Sequence, residues 1–184
     1  MANTGLATYG RPADEKYFSV APAGTELPTA SDGALAAAYV SVRVSEDGIT
    51  PAPDFGKDDP VKDWAGEDVL AAPASPSVTL EVPMIDNNEM VHKILYGTAN
   101  VGNAGSTFKG DTDEWVVVVT ELHNDADGNP ESIVRTVYPR CVPQEWDEGA
   151  HTRTELIVHT VTFQCLYSDT IDGYFRELPA ATAE

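Results

Sequence analysis

Positive charge, cysteine and long apolar runs are all scarce in this chain, and each shortage closes off a class of protein. Lys and Arg number 11 against 30 Asp and Glu, a formal net charge of −19. Tight nucleic-acid binding relies on Lys and Arg displacing counterions from phosphates, so a DNA-wrapping role is excluded. No apolar run approaches the roughly 20 residues of a membrane-spanning helix. The first residues show neither a basic region nor an apolar stretch, which predicts no secretory signal and a chain made and used in the cytosol. Only two cysteines occur, Cys141 and Cys165. Cys165 shares the apolar side of an alternating segment with Val161 and Phe163, so a buried free thiol is expected. A Cys141–Cys165 bridge stays open if their strands pair, although disulfides are rare in a reducing cytosol.

What the chain does have is a β pattern. At 184 residues it is long enough for one domain with a real core, and 13 Pro with 14 Gly supply the turns of an all-β fold. In Ser77–Met84, Val78, Leu80, Val82 and Met84 fall on one face and Ser77, Thr79, Glu81 and Pro83 on the other, the period of a half-buried strand. Ala38, Val40, Val42 and Val44 alternate in the same way with Tyr39, Ser41 and Arg43. Trp115–Leu122 holds Val116 to Val119 in a continuous run, which predicts burial on both faces. Glu131–Val142 and Leu156–Tyr167 read as two more strands. Between Ser77–Met84 and Trp115–Leu122, the segment Asp86–Tyr96 switches to helical spacing, with Met90, Val91, Ile94 and Leu95 on one stripe, Asp86 as cap and Gly97 as stop.

The expected fold is therefore mainly β: an antiparallel sandwich or barrel core with one flanking helix and extended N- and C-terminal arms. Residues 1–33 read as an arm with an anchor at Tyr17 and Phe18. Residues 34–169 form the body. Residues 170–184 make a second arm anchored by Tyr174 and Phe175. Residues 46–68 carry eight acids against Lys57 and Lys62, with Pro51, Pro53 and Pro60, and are expected to be a long exposed loop. Trp64 lies among those charges and needs a seat, so this loop should dock on something.

Chemistry finds no frame here. Placing Gly128 at position six of a calcium loop makes His123 the first ligand and Val134 the twelfth, where a Glu is required; HNDADGNP is better read as a hairpin connection. His92, His123, His151 and His159 lack zinc-ligand spacing. There is no G-x-S-x-G elbow, and GTANVGNAG lacks the ending of a phosphate loop. The expectation is a protein that is not an enzyme and takes no cofactor or metal.

The order of parts over Val40–Gly97, with VSEDGIT at Val44–Thr50 and the isolated Trp64-Ala-Gly, resembles the major tail tube protein of long, non-contractile-tailed bacteriophages. The likeness covers roughly residues 35–170; the Asn103–Lys109 link and the acidic insertion depart from the family pattern. It implies a β-sandwich subunit of hexameric rings that stack into a tube for genomic DNA, with strands of all subunits closing an inner barrel. It also implies partners: tape-measure protein, assembly chaperones, tail terminator and tail-tip proteins. Double-stranded DNA would pass through without specific binding, and the chain would reside in the virion tail after assembly in the host cytoplasm. Within the insertion, Pro51–Asp63 would meet the neighbouring ring, making Asp54, Phe55, Lys57, Asp58, Asp59, Lys62 and Trp64 the expected contact residues. Two other classes fit the composition: an adhesion or carbohydrate-binding β-sandwich, and a single-ring head–tail connector or tail terminator.

Overall fold

The computed structural model describes residues 9–12, 17–56, 61–62, 64–65, 67–70, 75–124, 130–149 and 156–182. From the N-terminus come β1 (Tyr9–Pro12), β2 (Phe18–Pro22), β3 (Val40–Ser41) and β4 (Thr50–Asp54). β5 (Val61–Lys62) and β6 (Asp68–Leu70) form a separate small pair. β7 (Ser77–Met84) leads into helix α1 (Glu89–Tyr96) and a 3-10 turn at Thr98–Asn100. β8 (Val101–Gly102) and β9 (Gly105–Ser106) make another small pair. The long strands follow: β10 (Trp115–Asn124), β11 (Pro130–Glu148) and β12 (His159–Cys165), then the short β13 (Arg176–Glu177) and β14 (Ala181–Thr182).

The main sheet runs β3-β2-β10-β11-β12-β7-β4, and its pairings are antiparallel. β11 is the hinge of this order. It pairs with β10 as far as Cys141 and with β12 from Cys141 onward. Pro139 and Arg140 fall where the β10 register slips between Trp115 and Val117, an irregularity that accommodates a proline inside a long strand.

The sheet curls and closes. Val42 N–H donates to Phe18 O at 3.0 Å, while two residues later Val44 bridges Met84 and Ser45 N–H donates to Pro83 O at 2.8 Å. Residues 40–45 thus tie β2 to β7, although four strand spacings of about 4.8 Å would separate those strands in a flat sheet. The enclosed core takes Phe18 and Val20 from β2, Leu80, Val82 and Met84 from β7, Trp115 and Val117 from β10, and Val161 and Phe163 from β12. Phe18, Leu80 and Phe163 are fully buried, each worth about 2–3 kcal/mol of apolar burial. Helix α1 adds Val91, Ile94 and Leu95 to the same core. Asn88 caps it, accepting from Val91 N–H at 3.0 Å, and Gly97 ends it at φ 82°. Asp86, expected as the cap, instead takes the Arg43 Nε–H at 2.7 Å and the Arg43 backbone N–H at 2.8 Å, pinning the closing segment to the helix entrance.

A second apolar layer lies on the opposite face of β2, β10 and the first half of β11. Ala21, Val116, Val118, Val137 and Leu178 are buried there beneath Leu27, Leu35 and Tyr39. The continuous valine run is explained by these two cores, one for each side of β10. Arg135 holds the covering segment down: its Nη1 donates to Ala30 O at 2.7 Å and Gly33 O at 2.8 Å, and its Nε to Thr120 Oγ1 at 3.2 Å. Burial lowers its guanidinium pKa from the ordinary value.

Both arms require correction. Residues 18–22 are an interior strand between β3 and β10, because Phe18, Val20 and Ala21 find buried positions on its two faces. At the other end, β13 and β14 pair with β11 and Leu178 is buried, so residues 176–182 belong to the body too. The loop expected over 46–68 also differs: Thr50–Asp54 is an edge strand along β7. Pro51 and Pro53 stand opposite Leu80 and Val78 at the positions whose backbone groups point away from β7, so their missing N–H groups fall on the outward side, the one place a sheet tolerates them.

Candidate functional site

Of the expected contact residues, Asp54 and Phe55 sit at the mouth of an excursion. Asp54 closes β4, and its Oδ1 accepts from Gly56 N–H at 3.0 Å. Gly56 has φ 57°, and a Cβ there would lie 2.0 Å from Ser75 O, while Ser75 N–H donates to Gly56 O at 3.1 Å. The chain leaving β4 and the chain entering β7 therefore touch at a neck where only glycine fits. Phe55 is 76% exposed beside this neck, and Trp64, beyond it, is wholly exposed, with no seat among the described residues. Lys62 lies in β5; Lys57, Asp58 and Asp59 lie outside the described residues.

The arm anchors are brought together by their own body. Tyr17 OH donates to Val44 O at 3.0 Å and accepts from Val44 N–H at 2.5 Å, so it fastens the closing segment. Phe18 is in the core. Tyr174 OH donates to Pro76 O at 2.8 Å, and Phe175 stacks against Tyr138 with ring centroids 5.5 Å apart.

Sequence reasoning missed a surface that the topology assembles. The second half of β11, with β12 and β7, has its apolar side chains in the core and an opposite face with no second apolar layer among the described residues; β4, exposed along its whole length, extends that face at the edge. Register builds that face in rows across the strands. One row is Thr50, Glu81, Thr162, Glu145; the next is Ala52, Thr79, Gln164, Val142; Pro83, Thr160 and Asp147 form a third, and Asp54 pairs with Ser77 at the end. Asp54, Glu81, Glu145 and Asp147 are exposed, and no Lys or Arg stands in these rows. Glu81 and Glu145 lie two strands apart, about 10 Å, close to a Debye length in physiological salt. The alternation of Thr, Gln and Glu was a signal in the sequence, but only register shows that four such strands lie side by side.

The other polar feature is a cavity of about 400 Å³ beside Arg135, lined also by Ser31, Asp32, Tyr39, Ser41 and Thr120. Its polar groups serve the covering segment: Ser31 Oγ donates to Pro179 O at 2.9 Å, and Tyr39 OH to Glu26 O at 3.0 Å. Among the histidines, His92 engages Ser106 and Asn87, while His159 is buried beside Trp146. His151 and the middle of HNDADGNP lie outside the described residues. Among the described residues no cluster of three or more His, Cys, Asp or Glu is placed to hold a metal ion.

No family model matches the chain, and no curated protein does. Among solved structures it is similar to a chain of the anti-feeding prophage (AFP) baseplate, 6-fold symmetrised, determined by cryo-EM. The two share 14% identity over 92% of this chain and 97% of that one, at a TM-score of 0.39. At that score the likeness carries no argument about assembly, and the functional reading stands on the chain's own residues.

Proposed function

We propose that this chain is a structural subunit of a phage tail tube, built from hexameric rings that stack into a conduit for genomic DNA. The observation that carries this reading is the acidic face of β11, β12, β7 and β4. Three neighbouring strands with one buried side and one open side, extended at the edge by the exposed β4, carry several acids and no Lys or Arg in their open rows, which suits the wall of a channel for a polyanion. DNA carries one negative charge per about 1.7 Å of axis, so such a wall repels it and leaves it free to slide.

Stacking is assigned to the excursion beyond the Gly56–Ser75 neck. Phe55 and Trp64 have no partner surface among the described residues, and exposed aromatics of this size are the usual anchors of protein interfaces. Tape-measure, chaperone, terminator and tail-tip proteins are the partners this role requires. The same two aromatics favour one rival, a carbohydrate-binding module, which would stack a sugar ring on Trp64.

Electron microscopy of the purified protein tests the proposal. Tubes with a central channel support it; single rings of fixed size point to a connector or terminator; monomers that bind glycans through Trp64 point to the adhesion module.

A further inference from the structure

Cys141 and Cys165 face one another across β11 and β12. Leu166 N–H donates to Arg140 O at 2.8 Å, which makes the neighbouring Arg140–Leu166 position the hydrogen-bonded one. Cys141 and Cys165 therefore occupy a non-hydrogen-bonded position, where opposed Cα atoms approach to about 4.5 Å and side chains are nearest. That separation falls inside the range a disulfide spans. Both side chains are fully buried and free, and their Sγ atoms are 3.7 Å apart. Cys141 also pairs with Trp115 on its other side, so it marks the point where β11 leaves the doubly covered half for the half with the open face.

We propose that Cys141 and Cys165 are a latent disulfide site, closed by a peroxide once the protein leaves reducing surroundings. The closure needs no backbone rearrangement, only rotation of two side chains that already meet. One thiol loses its proton and its sulfur attacks the peroxide; a sulfur–oxygen bond forms, the oxygen–oxygen bond breaks and hydroxide leaves, taking up that proton to become water. The second sulfur then attacks the sulfenic sulfur. The disulfide forms, the sulfur–oxygen bond breaks, and a second water leaves with the remaining thiol proton. Two electrons pass from the two sulfurs to one peroxide.

Burial sets the pace. It pushes the Cys141 thiol well above its ordinary range, so little thiolate is present and the peroxide must enter during openings of the β11–β12 seam. The thiols are thus inert while the chain folds and assembles in a reducing cytosol, and they close slowly in an oxidising medium. Only this timing rests on the proposed function; the chemistry of the site does not.

The test treats the purified full-length protein with hydrogen peroxide and follows intact mass, thiol count in denaturant and thermal midpoint. The expected result is a loss of about 2 Da, no remaining thiols and a tryptic peptide joining Cys141 to Cys165. The thermal midpoint should rise on the order of 10 °C and return with a reductant. Oxidation should quicken in mild denaturant, because openings limit it. The double variant C141S/C165S should show none of these changes; if it does not fold, the wild-type measurements decide alone. Gain of oxygen on either cysteine, a disulfide between two chains, or two intact thiols after denaturant-assisted exposure would each overturn the proposal.

Discussion

The two halves of the barrel obey different rules although they share one core. β2, β10 and the first half of β11 are covered on both faces, by the central core on one side and by Leu27, Leu35, Tyr39 and Leu178 on the other. The second half of β11, with β12 and β7, has one side in the core and Thr, Gln and acids on the other, and β4 extends the open side as an exposed edge. The first half spends its sequence on stability and tolerates no polar intruder. The second half keeps a face that folding does not use, and such a face is available for an assembly to define.

Charge substitutions should break the comparison most sharply. Val118→Asp buries an unpaired carboxylate beneath the covering segment and should cost about 4 kcal/mol or more, enough to leave little folded protein by circular dichroism. Thr162→Asp, at the centre of the open face between Glu81 and Glu145, should lower the urea midpoint only slightly, by about 1 kcal/mol from like-charge repulsion across the strands. Equal tolerance at the two positions would erase the distinction. Next in size, Arg135→Ala removes two hydrogen bonds that hold the covering segment and a third to Thr120 of β10, and should cost about 3 kcal/mol, read as a lower urea midpoint with an unchanged slope. A larger slope instead would mean that the segment was already loose. Asn88→Ala deletes the cap of the helix and should cost about 1 kcal/mol in the same measurement.

The smallest stability effect belongs to the open face. Glu81→Lys with Glu145→Lys should change stability by less than about 0.5 kcal/mol. In assembled protein each introduced lysine that meets a phosphate should add about 0.9 to the salt-dependence slope of DNA affinity, measured by anisotropy over a salt series. Native protein should show no measurable duplex affinity at physiological salt. A tight, salt-sensitive native complex would refute the channel assignment.

Local rules carried much of the fold into the sequence. The alternation of Ser77–Met84 marked β7 at its observed ends, the valine run announced a strand covered twice, and Gly97 stopped the helix. What stayed hidden depends on pairing across long separations. Phe18–Pro22 looked like an arm because its partner strand lies almost a hundred residues away. Thr50–Asp54 looked like loop because two of its five residues are proline, and prolines become acceptable only when the outward side of the strand is known. Asp86 was read as the cap, but Arg43, brought in from another part of the chain, claims it and the cap falls to Asn88. The acidic face failed for the same reason. Its residues come from four segments that only the register aligns.

The prolines of β4 carry a kinetic consequence. An exposed strand edge normally recruits further strands from any chain that collides with it, and the resulting ladder grows without limit. Here a newcomer can offer N–H groups to the carbonyls of Pro51 and Pro53 but receives none in return, so each encounter is weakly held and brief. Free chains can accordingly build up to high concentration without seeding fibrils, and ordered growth has to wait for a nucleus that engages side chains.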